Sequence, residues 1–214
     1  MRAWLATRRP SWRVVGGVVG GAVVLAVLGV GFWFWSAAEQ SRAMTAYAEA
    51  LSRVPDARAR QAEPQARAAA ARELEAVLAK HPSAALAPTA AWELGHLRYE
   101  ARDWPRARAA YEMALTRASS ATLRTLAQAA IGSTWEAEGN YARAMEVYRA
   151  ALAGLRPNEF LYEELLVDVA RMQELTGQTA EAVATYRQFL KEQPHSPRAA
   201  EVKGRLAHLG AGPR

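Results

Sequence analysis

The side chains able to do chemistry are few, and their spacing rules out more than it suggests. The four histidines, His81, His96, His195 and His208, are scattered, and none stands at metal-ligand spacing from another histidine or an acid. Cysteine is absent, which removes disulfides, a thiolate nucleophile, cysteine-based zinc sites and an N-terminal lipid-modified cysteine. No nucleophile elbow, phosphate loop or acidic ion-binding loop occurs. The Glu163-Glu164 pair, and Glu136 with Glu138, are ordinary on solvated helices. The sequence thus carries no catalytic constellation, no cofactor motif and no metal set, and it does not read as an enzyme. One group points to recognition instead. Trp92 and Tyr99 lie seven residues apart, two turns on one helix face, with His96 between them. An aromatic pocket of this kind takes an apolar or extended peptide segment; the competing role for the same rings is packing between helices.

The elements that must position these residues repeat. Ala107, Tyr111, Ala114 and Leu115 recur as Ala144, Tyr148, Ala151 and Leu152, and again as Ala182, Tyr186, Phe189 and Leu190, at offsets of 37 and then 38 residues. Upstream of each set stands a second matching pair, Leu94-Gly95, Ile131-Gly132 and Val169-Ala170. Between the halves lies a turn signal, Arg102-Asp103, Gly139-Asn140 or Gly177-Gln178. Helix, tight turn and second helix at this period describe a helical-hairpin solenoid. Two antiparallel helices pack closely only where small residues let their backbones approach. Gly95, Gly132 and Ala170 on the first helix, with Ala107, Ala144 and Ala182 on the second, supply that closeness. Tyr111, Tyr148 and Tyr186 are expected to fill the space between one hairpin and the next. A single hairpin cannot bury its apolar face, so several must stack.

The pattern resembles the tetratricopeptide repeat, whose period is about 34, over residues 92–115, 128–152 and 166–194. It departs from it in longer connections between repeats, and in Ala170 and Phe189 where the consensus prefers Gly and Ala. The resemblance implies a concave face lined by the first helix of each hairpin. That carries over to Trp92, His96, Tyr99, Ser133, Glu136, Arg171 and Glu174 as candidate partner-binding residues, with Glu136, Arg171 and Glu174 orienting a bound segment. Some cytosolic relatives grip an acidic C-terminal peptide with a lysine-asparagine clamp. Here the corresponding positions hold Trp92, His96, Ala130, Glu164 and Asp168, which disfavours a chaperone-tail receptor.

The repeats need ends. Residues 65–80 place Ala70, Leu74, Val77 and Leu78 at 37 residues before their counterparts, so a divergent first hairpin precedes the three full repeats. Its expected first half is the helix 37–54, with Met44, Tyr47, Leu51 and Val54 as an apolar stripe; 55–64 reads as a loop. Ser196-Pro197 reads as the start of a capping helix with Val202, Leu206 and Leu209 facing back onto the third repeat.

The N-terminus has a different composition. Residues 14–35 hold no charge, and 22 helical residues reach roughly 33 Å, enough for a hydrocarbon core of about 30 Å. Arg2, Arg8, Arg9 and Arg13 precede this stretch and account for four of the net +6 charges, leaving +2 for the rest. The remaining arginines alternate with acids, so the pI near 10.0 does not indicate nucleic-acid binding. The expected plan is all-α: a basic cytoplasmic N-terminus (1–13), a single transmembrane helix (14–35), a juxtamembrane helix and loop (36–64), a tetratricopeptide-like solenoid (65–209) and a short tail (210–214). Gly16, Gly17, Gly20 and Gly21 form overlapping small-xxx-small pairs, a candidate homodimer face within the membrane. By the positive-inside rule the repeats are exported, which places the chain in the bacterial inner membrane with its repeat domain periplasmic.

That plan is similar to the ancillary-subunit family of the bacterial Sec translocon. The resemblance implies a membrane-anchored scaffold or adaptor that binds partner proteins or exported client chains: the translocon, a periplasmic chaperone or envelope-assembly components. Two alternatives stay open from sequence. One is an envelope scaffold acting in cell division or outer-membrane assembly; the other is a secreted repeat protein released by cleavage after Ala38.

Overall fold

The structure is a computed structural model that describes residues 12–59 and 63–212, with side chains described at 21, at 25–59 and at 63–212. Every regular element among them is a helix. The chain divides into two compact units, Met1–Thr45 and Ala46–Arg214. Helix α1 (Trp12–Ser52) contributes its greater part to the first unit and its last residues to the second.

In the first unit the expected transmembrane helix is overturned: among the described residues no helix is long and apolar enough to cross a membrane. Beyond Trp35 helix α1 turns polar, with Glu39, Arg42 and Glu49. The single-pass inner-membrane placement, with cytoplasmic N-terminus, bilayer contact and periplasmic repeats, falls with the span. Residues 1–11 lie outside the described residues, and so do the surroundings of Gly16, Gly17 and Gly20 in the candidate dimer face; at Gly21 a Cβ would meet nothing within 4 Å beyond its chain neighbours and its own helix backbone.

The second unit starts with the end of α1. Tyr47 and Ala50 are buried against Leu74 and Leu78 of α3 (Pro64–Lys80), and the Tyr47 hydroxyl donates to the His81 carbonyl at 2.9 Å. Met44, expected on the same stripe, is 45% exposed. The segment read as a loop from Pro55 onward forms a short helix instead, α2 (Val54–Arg58). Proline is tolerated in a first helical turn because its missing N–H has no partner there. Burial of Val54 and Ala57 then holds the turn in place. Arg67 closes the far end, donating to the Ala57 and Ala59 carbonyls at 3.1 and 3.3 Å.

Three hairpins follow: α4 (Ala87–Glu100) with α5 (Trp104–Arg117), α6 (Ala121–Ala137) with α7 (Tyr141–Leu152), and α8 (Tyr162–Leu175) with α9 (Thr179–Glu192). Their turns are alike in backbone. Arg102, Gly139 and Gly177 all take left-handed conformations, at φ 59, 78 and 75°. After each, an amide reaches back five residues: Asp103 to Arg98, Asn140 to Trp135 and Gln178 to Gln173, at 2.9, 2.9 and 2.8 Å. This is the Schellman ending, which satisfies carbonyls that a helix C-terminus leaves open. The next residue caps the second helix: Asp103 accepts from the Arg106 amide and Asn140 from the Arg143 amide, whereas Gln178 makes no such cap. A glutamine side chain is longer than the short oxygen acceptors that fit this position.

Packing within the hairpins explains the small residues. A Cβ placed on Gly95 would sit 2.4 Å from the Tyr111 ring, and one on Gly132 would sit 2.5 Å from the Tyr148 ring. Each tyrosine also reaches the following hairpin or cap. Tyr111 clusters with Ile131, Tyr148 with Leu165 and Val169, and Tyr186 with Val202 and Leu206. Those last two residues belong to α10 (Ala199–His208), which covers the end of the third hairpin. Helix α10 starts later than the Ser196-Pro197 signal suggests. Ser196 spends its hydroxyl on Glu163 at 2.6 Å, while its oxygen accepts from the Arg198 amide at 3.1 Å.

Candidate functional site

The 37- and 38-residue offsets set the candidate residues in register on α4, α6 and α8. His96, Ser133 and Arg171 are equivalent, and so are Tyr99, Glu136 and Glu174. All of them, with Trp92, are half-buried. The same helix positions therefore present very different chemistry from one repeat to the next.

On α4 the residues are aromatic. The Trp92 and His96 rings lie 4.3 Å apart, and Tyr111 contacts both at 5.4 Å. Tyr99 packs edge-on against Trp104 at 4.8 Å. Burial lowers the His96 pKa below the ordinary imidazole value, outweighing a 3.1 Å contact between Nδ1 and the Trp92 carbonyl oxygen. Burial also raises the Tyr99 phenol, and the nearby Glu136 charge adds to the rise. Trp92 packs on two clusters of the core, so part of its ring area is structural.

On α6 and α8 the residues are polar and matched to one another. The Tyr148 hydroxyl meets Ser133 at 3.1 Å and donates to Glu136 at 3.0 Å. Arg171 forks onto Glu136, one bond measuring 2.9 Å, and also donates to Asp168 at 2.8 Å. The Glu136 hydrogen bonds hold the Arg171 guanidinium firmly charged. Burial pushes the Asp168 carboxyl upward despite its arginine partner. Glu174 accepts from the Tyr186 hydroxyl at 3.1 Å and pairs with Arg205 of α10 at 3.3 Å.

Ion pairs thus link α6 to α8 and tie the ends of this face to α2 and α10. Arg58 joins α2 to Glu93 and Glu100 of α4, Glu136 joins α6 to Arg171 of α8, and Glu174 joins α8 to α10. The junction between α4 and α6 has no such pair among the described residues. There Trp92 and Tyr99 pack beside Ile131 and Ala130. The same two hairpins are joined by charge elsewhere, where Arg108 of α5 pairs with Glu138 at 3.0 Å and lies 3.4 Å from the centre of the Trp135 ring.

The structure brings the seven candidates into two groups, Trp92 with His96, and Ser133, Glu136 and Arg171 through Tyr148, with Tyr99 feeling the charges of the second and Glu174 tied to the cap. Sequence reasoning assigned the tyrosines to packing and missed that the Tyr148 and Tyr186 hydroxyls organise this face. The signal was present, because each tyrosine stands twelve residues after the acid it meets, Glu136 or Glu174. Trp104 and Arg205 were also missed. Among the described residues no group of three or more His, Asp or Glu side chains is placed to hold a metal ion.

The chain matches the family described as Tetratricopeptide repeat-like domain over residues 11–211. It belongs to that family. No curated protein matches the sequence. A tetratricopeptide repeat-like domain of this kind is a scaffold for protein–protein interaction, and the match reaches neither a membrane anchor nor a translocon-subunit architecture.

Proposed function

We propose that the chain is an interaction scaffold that holds an extended segment of a partner protein across α4, α6 and α8. An apolar residue of that segment sits at the α4–α6 junction against Trp92, His96 and Tyr99, and its backbone or polar groups are oriented by Glu136, Arg171 and Glu174. The observation that carries this reading is the cluster of half-buried aromatic rings at that junction, where among the described residues no ion pair runs directly between α4 and α6. Half-buried aromatics there offer area that costs little conformational entropy to use, the usual make-up of an interaction hot spot. The neighbouring charges already pair with one another, so they fix register and reject unlike segments more than they add affinity. The partner is defined by this chemistry, an apolar anchor within an extended polar segment.

Site-specific photo-crosslinking in the native cell tests it. A photoreactive phenylalanine analogue at Tyr99 or at Ser133 should give discrete adducts, and the same analogue at Arg149, exposed on α7, should give none. Adducts confined to position 149 would contradict the proposal.

A further inference from the structure

The connection between α7 and α8 carries a feature that the face above does not use. Phe160 is 64% exposed on a loop that is otherwise tied down. Arg156 and Glu159 clasp each other through three bonds of 2.8–3.0 Å, one of them from the Arg156 amide. Gln193 holds the Pro157 carbonyl, and Leu161 completes the turn in a left-handed conformation at φ 69°. Non-glycine residues rarely adopt this conformation and are held in it only by their surroundings. The loop is therefore pinned with a large aromatic ring facing water.

Cavities of about 620 and about 490 Å³ open on the two sides of this ring, and Glu159 and Phe160 line both. Their chemistry differs. The cavity toward α6 and α7 is mixed, with Leu115, Ala151 and Leu155 beside Thr125, Gln128 and Arg124, whose guanidinium donates to the Ala118 carbonyl. The one toward α8 is acidic, lined by Glu159, Glu163, Glu164 and Asp168 against Arg198. Three of these five charges are already spoken for: Glu159 by Arg156, Asp168 by Arg171 and Arg198 by Glu201. Among the described residues Glu163 accepts only the Ser196 hydroxyl, and Glu164 makes no ion pair. Two adjacent carboxylates thus face an open cavity beside an exposed ring, with a partly apolar cavity on the other side of it.

We propose that the loop edge around Phe160 is a second docking site, taking a peptide segment in which an apolar side chain neighbours arginine or lysine. The apolar side chain enters the cavity beside Leu115 and Leu155, its flank rests on the Phe160 ring, and the cation meets Glu163 and Glu164. A ring held in place by a pinned loop loses little freedom on binding, which favours capture by a small contact. A cation over the ring face would add an attraction of its own. The site is centred on the connection between α7 and α8 and borders the first-helix face, since Asp168 lines its acidic cavity and pairs with Arg171.

Fluorescence anisotropy on the full chain tests this with a labelled peptide carrying two leucines followed by two arginines. Its counterpart with glutamates for the arginines is the control. Saturable binding of the arginine peptide below about 1 mM is expected, with the glutamate peptide at least roughly five-fold weaker. Phe160→Ala should weaken binding roughly ten-fold or more without moving the circular-dichroism melt, since the ring is outside the core. The double substitution Glu163→Gln with Glu164→Gln should weaken it several-fold at low salt, a loss that fades as salt is raised. The proposal is overturned by absence of saturable binding, by equal binding of the glutamate peptide, or by an unchanged affinity in Phe160→Ala. Loss of binding in Tyr99→Ala with full retention in Phe160→Ala would place the peptide on the α4–α6 face and overturn it as well.

Discussion

The α4/α5 and α8/α9 hairpins share a backbone plan and present opposite surfaces. In both, a left-handed residue ends the first helix, a small residue faces a buried tyrosine, and that tyrosine reaches on to the next element. On α4 the positions in front of this framework are Trp92, His96 and Tyr99; on α8 they include Arg171 and Glu174, tied to α6 and α10. The framework is set by backbone approach and turn geometry, which tolerate few residue types. The face is set by what neighbouring repeats or partners must meet, and there the types change freely. Even the framework varies slightly: Gly95 and Gly132 press on their tyrosines, while Ala170 stands at the third position and is itself fully buried.

Removing the shared framework should have the largest effect. Tyr148→Ala vacates a side chain that is 1% exposed and should cost about 3–5 kcal/mol, read by urea denaturation. A loss well below that would mean the hairpins do not depend on the tyrosine. Next, Gly132→Val forces branched atoms toward a ring that a single Cβ would already meet at 2.5 Å, and should cost roughly 1–3 kcal/mol. Ala170→Gly in the third hairpin should cost about 1–2 kcal/mol, through helix propensity and the loss of a fully buried methyl. If Gly132→Val costs nothing, the closer approach in the first two hairpins is not what selects glycine there.

The ionic half of the comparison is tested more gently. Glu136→Gln leaves Arg171 with Asp168 as its only acid and weakens the bond from Tyr148. Because both partners are about a quarter exposed, the loss should be only about 1 kcal/mol. Urea melts at low and high salt should show it shrinking as salt rises.

The smallest effect belongs to His96. Its folded pKa is depressed, by burial first, so the stability it contributes is present above the unfolded imidazole value of 6.5 and is lost as pH falls through the folded one. His96→Gln should flatten the fall in melting temperature on acidification below about pH 6.5. Parallel slopes for the two proteins would assign that dependence to other groups.

Much of this framework was legible because it repeats. Gly139, Gly177, the tyrosines and the small residues recur at fixed offsets, and each has one backbone reason to be there. Arg102 was harder to read as left-handed, since nothing but its alignment with the two glycines marks it. Helix α2 was hidden by Pro55, which looks like a breaker until its place in the first turn is known. The start of α10 was misread because Ser196 serves Glu163, 33 residues away, as well as its own turn. The membrane span was inferred from the length and lack of charge of residues 14–35 and the arginines before them, and among the described residues no helix is long and apolar enough to cross a membrane. The face was legible as a set of positions. Which members pair was not, because the Glu136–Arg171 bridge depends on how two repeats stack across 35 residues.

The most direct measurement is hydrogen exchange on the full chain, with and without the partner identified by crosslinking at Tyr99. Binding across the first-helix face should slow exchange in α4 and α6, most strongly over residues 92–99 and 129–136, and leave α9 unchanged. Protection confined to α7 and α9, with none in α4 or α6, would contradict the assignment of this face.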